Sequence, residues 1–247
     1  MRAMPCFGIL LGEGLVNVKR REYGPVRDSV VEVEKLYQHR FSAEAVRSKN
    51  RVWKVLVEEF FQHWIQDGET VLDLGCGYGE FLNNVRCAQR IGVDFNPESV
   101  AFLDTEIDFH QGDVCDLSFL ADSSVDTVFT SNMLEHLRGK DQVERLLVEA
   151  RRVMKPGGQF IAMGPNMRFL HGEYWDFWDH IVAITDRSLV EILAYLDFEI
   201  VTCYPKFLPY TTQSRLPQSP ALVRLYLRAP LAWRLMGKQF LVRARKA

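Results

Sequence analysis

Apolar positions recur at helical spacing through Val30, Val33, Leu36 and Tyr37, and again through Val46, Trp53, Leu56, Val57, Phe60, Phe61 and Trp64. That period predicts one or two helices, stopped at Asp67-Gly68. Beyond it the pattern alternates. Short apolar runs at Thr70–Leu74, Arg90–Asp94, Ile107–Gln111, Val125–Ser131, Gln159–Met163, Phe198–Cys203 and Gln239–Ala244 read as seven strands. Helical stretches fall between them at Glu80–Cys87, Pro97–Asp104, Lys140–Met154 and Asp186–Leu196. Asn96 is placed to cap the second of these, and Pro156-Gly157-Gly158 forms a sharp turn.

Strands separated by helices imply right-handed crossovers. The expected fold is therefore α/β and doubly wound, a seven-stranded mostly parallel sheet with helices on both faces. No ordinary crossover helix precedes the last strand, so that strand is expected to insert antiparallel. The chain divides into an arm and helical cap over 1–66 and a main domain over 67–247. The main domain carries an aromatic segment at 169–185 and an insertion at 205–237.

Composition narrows the class. Hydrophobic residues make up 47% and charged residues 25%, as in globular proteins, and no apolar run reaches the roughly 18 residues of a membrane span. The apolar stretch Met4–Leu11 is broken by Pro5 and Gly8 and lacks the flanks of a signal peptide. Five scattered cysteines (Cys6, Cys76, Cys87, Cys115, Cys203) without a CxxC pair suggest free thiols and a cytoplasmic location. His63 and His110 stand apart from any cysteine or carboxylate cluster, so no metal is expected.

The net charge of -2 conceals an asymmetry. Nine of the 30 lysines and arginines follow Glu199, after which there is no acidic residue, leaving 21 basic against 32 acidic side chains up to and including Glu199. The apolar and arginine-bearing stretch Ala221–Met236 reads either as a helix packed in the core or as one that meets a membrane surface or a lipid-linked substrate. Nucleic acid is disfavoured by the overall negative charge and the lack of a binding motif.

The first strand ends in Asp73-Leu-Gly75-Cys-Gly77-Tyr-Gly79. Ligands of open parallel sheets bind outside the carboxyl ends of strands, and glycines there admit close backbone approach. A dinucleotide fingerprint, G-x-G-x-x-G, would need its third glycine where Glu80 stands. The spacing here is G-x-G-x-G with Asp73 two residues ahead, which suits a ligand with a cationic amino-acid end. Asp94 closes the second strand and has the acceptors for two ribose hydroxyls, with Phe95 beside it. Gly112-Asp113-Val114 after the third strand offers an acid and apolar neighbours to bracket an adenine ring.

Asp73–Gly79, Gly92-Val-Asp94, Gly112-Asp113-Val114, Ser131-Asn-Met-Leu-Glu-His136 and Met154-Lys-Pro-Gly-Gly158 together resemble the successive motifs of class I S-adenosylmethionine-dependent methyltransferases, whose domain is Rossmann-like. The resemblance covers roughly residues 68 to 165. It implies that Asp73, Gly75, Gly77 and Gly79 contact the methionine end of S-adenosylmethionine and that Asp94 binds the ribose. It also implies that Asp113 or Val114 borders the adenine and that Ser131, Asn132 and Met133 line the sulfonium side.

Methyl transfer needs positioning of donor and acceptor and, for a hydroxyl acceptor, a base. His136, beside Glu135 at the end of the fourth strand, is the first candidate. The segment Phe169–His180, rich in aromatics, histidines and acids, reads as a substrate wall with Tyr174 and His180 as polar contacts, or as a satellite apolar cluster. Tyr37, His39 and Arg40 precede the core. The resemblance implies an N-terminal helical segment closing over the cofactor, with Tyr37 or Arg40 touching it. The alternative is that each is an ordinary amphipathic-helix residue. The expected acceptor is a small molecule, a saccharide or a lipid-linked saccharide. The alternative is a cofactor-binding but catalytically inactive regulatory or scaffold subunit.

Overall fold

The computed structural model describes residues 43–210 and 219–247. The arm at 1–28, the helical pattern from Val30, and Tyr37, His39 and Arg40 lie outside the described residues. Helix α1 (Ala43–Glu59) is followed by a 3-10 turn at Phe61–Trp64. The strands are β1 (Thr70–Leu74), β2 (Gln89–Asp94), β3 (Asp108–Gln111), β4 (Val125–Ser131), β5 (Met154–Pro165), β6 (Phe198–Tyr204) and β7 (Gln239–Lys246). Helix α2 (Lys140–Val153) joins β4 to β5. Helices α3 (Met167–Leu170) and α4 (Asp186–Tyr195) lie between β5 and β6, and α5 (Pro220–Leu227) and α6 (Pro230–Met236) between β6 and β7.

The sheet order is β3-β2-β1-β4-β5-β7-β6. Strands β1 to β5 pair in parallel, and β7 inserts antiparallel to both β5 and β6. After β1 the chain builds outward to β3 and then returns to lay β4 on the other side of β1. The crevice outside the carboxyl ends of β1 and β4 is therefore the topological switch point.

Alternating strand residues feed two cores, as the pleat requires. Leu72, Val128, Phe160, Ala162, Phe240 and Val242 pack with Leu146, Leu147 and Val153 of α2 and Leu189 and Leu193 of α4. Val71, Phe129, Ile161, Met163 and Leu241 face the opposite way, onto Trp53 and Val57 of α1, Phe61, and Leu227 and Trp233 of α5 and α6. The packing of α1 is thus continuous with the sheet.

Three local expectations change. Glu80–Cys87 forms hydrogen-bonded turns in place of a helix. Its two asparagines divert the backbone: Asn84 Nδ2 donates to Glu80 O at 2.8 Å, and Asn83 bonds Phe102 O and Asp104 N instead of leaving a helical ladder intact. Pro97–Phe102 is a 3-10 helix, with Asn96 capping it as expected. Pro156-Gly157-Gly158 does not stand as a turn ahead of the strand. It is a bulge within β5, where the pairing steps from Val125↔Met154 to Thr127↔Gln159, and Gly157 adopts φ 76°.

Candidate active site

The carboxyl ends of β1, β2 and β4 carry the motif residues, and the glycine loop turns back sharply between them. Gly75, Gly77 and Gly79 all have positive φ (75°, 53° and 75°). A Cβ at Gly75 would stand 2.3 Å from Met133 Cγ, and one at Gly79 would stand 2.4 Å from Leu103 Cδ2. At Gly77 it would meet only Glu80 Oε2, at 3.7 Å. Two of the three glycines therefore let other parts of the protein approach, and Gly77 alone borders open space.

Asp94 fixes this loop. Its Oδ2 accepts from Gly77 N and its Oδ1 from Asn96 N, both at 2.8 Å. Burial nevertheless pushes its carboxyl above the usual range, against the pull of those two bonds. Asp73 is 3% exposed, and burial, then the charges of Glu80 and Asp94, hold its carboxyl well above the ordinary value. Lys49 pairs with Glu80 at 2.9 Å. Asp73 makes no hydrogen bond or ion pair with its side chain among the described residues. Three acids thus converge where a ligand would lie, with one lysine against them. A cationic ligand fits this cradle, and a pyrophosphate does not. The methionine end of S-adenosylmethionine carries such charge, and Asp73 with Gly77 would face it while Asp94 would face the ribose. Burial also pushes the Cys76 thiol far up, which leaves it inert.

The remaining expected contacts divide. Phe95 is 70% exposed at the rim beside Asp94. Asp113 is exposed and its Oδ1 accepts from Cys115 N, turning the loop after β3. Val114 is buried in the core with Leu117, so its side chain is packed under the loop. Ser131 Oγ accepts from Asn132 Nδ2 at 2.9 Å. Asn132 holds a left-handed backbone, φ 50°, with its N–H on Met163 O. That kink sends Met133 against Gly75 and starts the 3-10 turn Leu134–His136.

Glu135 is 3% exposed, and burial raises its carboxyl against the pull of His136. His136 Nδ1 lies 3.0 Å from Asp179 O and 3.2 Å from Asp179 Oδ2. Burial lowers the His136 imidazole, but the Asp179 hydrogen bond and the Glu135 charge outweigh it and lift it above its ordinary value. His180 is buried, 5.0 Å from His136 ring to ring. Tyr174 requires correction as a substrate contact. Its side chain is fully buried and its hydroxyl donates to Val182 O, so it holds the segment together. The exposed aromatics there are Trp175 and Trp178. The sequence reading did not single out Asp179 or Glu80; both sit within the motif segments, but only the fold turns them inward.

The basic tail is largely engaged by the body. Arg224 and Arg228 both pair with Glu59 of α1, Lys238 with Glu173, and Arg243 with Gln159 Oε1. Arg215 lies outside the described residues. No helix among the described residues is long and apolar enough to cross a membrane. A cavity of about 740 Å³ opens beside the carboxyl ends of β5 and β6, lined by Arg168, Phe169, Lys206, Trp233 and Arg234 among others.

A family described as a methyltransferase domain matches residues 72–162. A probable S-adenosylmethionine-dependent methyltransferase of Mycolicibacterium smegmatis is 34% identical over 140 residues, 54% of this chain and 53% of that protein. Ribosomal RNA large subunit methyltransferase E of Azoarcus is 30% identical over 145 residues, 51% of this chain and 69% of that one. The chain spans about half the length of most curated relatives it matches. Among solved structures, an S-adenosylmethionine-dependent methyltransferase from Archaeoglobus fulgidus superposes with a TM-score of 0.61 at 22% identity, covering 87% of this chain and all of that one. Fold, motif order and these relatives agree: the chain belongs to the class I S-adenosylmethionine-dependent methyltransferases.

Proposed function

We propose that the protein transfers the methyl group of S-adenosylmethionine to a hydroxyl of a small molecule, a saccharide or a lipid-linked saccharide. The observation that carries this reading is the buried carboxyl of Asp73, which makes no side-chain hydrogen bond among the described residues, beside Asp94 and the glycine loop, a site that a cationic ligand suits. Bound S-adenosylmethionine supplies an electrophilic methyl, which an acceptor oxygen takes in line while the carbon–sulfur pair stays on sulfur. The chain's own residues do the rest. Asp73 faces the positive end of the donor, and Asp94, pinned by Gly77 and Asn96, offers its remaining lone pairs to the ribose hydroxyls. Asp113 and Phe95 edge the adenine side, and Ser131 with Asn132 sets the turn that borders the sulfonium.

Glu135, His136 and His180 stand just past that turn, where the acceptor hydroxyl arrives and its proton must leave. In the cavity over β5 and β6 Arg168 is already paired with Asp186, and the aromatic lining with Lys206 and Arg234 suits an acceptor that carries both a ring and negative charge, as a saccharide phosphate does. A membrane-facing role for α5 and α6 has one support, the exposed Leu222, Leu225, Leu231 and Leu235 beside Arg228 and Arg234.

Titration calorimetry with S-adenosylmethionine and with NAD, followed by mass spectrometry of a panel of hydroxylated acceptors, tests the reading. Binding of the former alone and an acceptor gaining one CH2 are expected. Binding of NAD in its place refutes the donor assignment. Donor binding without any methylated product across neutral and anionic acceptors favours the inactive subunit.

A further inference from the structure

Glu135, His136 and His180 come together although His180 follows His136 by 44 residues. One ligating atom from each lies within 4.8 Å of the other two. The tautomer of each ring follows from its fixed partner. His180 Nδ1 lies 2.8 Å from Tyr174 O, and a carbonyl oxygen only accepts, so Nδ1 carries the hydrogen. His136 Nδ1 faces two acceptors of Asp179, its carbonyl and its carboxylate, and carries the hydrogen for the same reason. In both neutral rings the lone pair is therefore on Nε2. His136 Nε2 stands 4.0 Å from Glu135 Oε1.

An imidazole whose Nδ1–H is held by a carbonyl or carboxylate, with Nε2 turned toward a buried carboxylate, is the arrangement metal-binding histidines take. Donors around one ion at about 2.0–2.2 Å stand about 3.4 Å apart, so closure needs side-chain rotations of roughly 1 Å at the donor atoms. Two nitrogens and one oxygen select a divalent transition ion over magnesium or calcium, which take oxygen ligands.

We propose that Glu135 Oε1, His136 Nε2 and His180 Nε2 bind one divalent transition-metal ion, zinc or manganese by ligand type, with Asp179 and the Tyr174 carbonyl orienting the two rings. Three protein donors leave positions open on the ion. An oxygen-bearing acceptor would fill them. The acceptor role rests on the methyltransferase reading, but the ion's binding does not.

The test uses the full chain, stripped with a chelator and titrated with zinc chloride and with manganese chloride by calorimetry, with bound metal counted by mass spectrometry. Cobalt chloride adds a visible d–d band that reports nitrogen and oxygen ligation. The expected result is about one ion per chain, with affinity lowered at least tenfold in Glu135→Gln, His136→Gln and His180→Gln. S-adenosylmethionine titrations on the same variants report whether each is folded. Loss of S-adenosylmethionine binding in the wild type, with metal uptake intact, would fail the methyltransferase reading and leave the metal site standing. No stoichiometric uptake by wild-type protein that still binds S-adenosylmethionine overturns the site. Uptake unchanged in all three variants overturns it as well, since the ion would then lie elsewhere, on the cysteines for instance.

Discussion

Gly75 and Gly77 are two residues apart in one motif, and the structure gives them different work. Substituting each by alanine separates the two roles. Both sit at positive φ, where a Cβ costs about 1–2 kcal/mol. At Gly75 the new methyl also lands 2.3 Å from Met133 Cγ and 2.9 Å from Met133 Cβ, atoms too close to the backbone to swing aside. Overpacking of that kind adds about 1–3 kcal/mol, so Gly75→Ala should destabilise by about 2–5 kcal/mol in all. For a chain of this size that is a fall in Tm of about 5–15 °C. At Gly77 the methyl enters open space, so Gly77→Ala should lose only the backbone term, about 1–2 kcal/mol. Its methyl occupies the ligand side of the loop, so its S-adenosylmethionine affinity should fall more than its stability does. Thermal and urea unfolding of both variants, with calorimetric titration of the donor, measures the contrast. Equal destabilisation of the two, or a fully stable Gly75→Ala, would refute the division of labour.

Asp94→Asn is isosteric but removes the charge, and it replaces one of the two oxygens that accept from Gly77 N and Asn96 N with an NH2 donor. Donor affinity should fall about 10- to 150-fold, read by calorimetry, for the loss of charge-assisted bonds to the ribose. The same carboxyl sets a pH dependence. Its raised pKa means the charged form is complete only above the usual carboxylate range, so wild-type affinity should be flat at neutral pH and decline as pH falls through that raised value. Asp94→Asn should flatten the decline. Asp73→Asn should act in opposite directions on two observables. The folded Asp73 carboxyl lies above its unfolded value, so its charge opposes folding at neutral pH, and the amide should raise the Tm of the ligand-free protein while weakening donor binding. A lowered Tm would contradict the absence of a described partner for that carboxylate.

The motif loops were legible because each is local. A strand pattern, a glycine or acid at its carboxyl end and the next helical stretch fall within some fifteen residues, and the parallel sheet then aligns all the strand ends on one edge. The antiparallel β7 was legible from the missing crossover. The helix expected at Glu80–Cys87 failed because hydrophobic period carries no information about Asn83 and Asn84, whose side chains compete for backbone groups. The basic tail misled because charge was counted along the chain. In space Glu59, 165 residues before Arg224, takes two of its arginines.

The glycine loop shows most directly what local reading leaves out. Glycines beside a ligand site invite the explanation that a ligand needs the room, and here Met133 and Leu103 take that room at two positions of three. What marks the site for a ligand is its electrostatics. Asp73 and Asp94 end adjacent strands paired in register, and Glu80 follows the loop between them, so the parallel sheet itself brings the carboxylates together. Lys49 pairs with Glu80. A fold that keeps such a charge imbalance without a ligand is less stable than it could be, and a stability deficit localised at a cleft is the expected signature of a binding site that its own ligand completes.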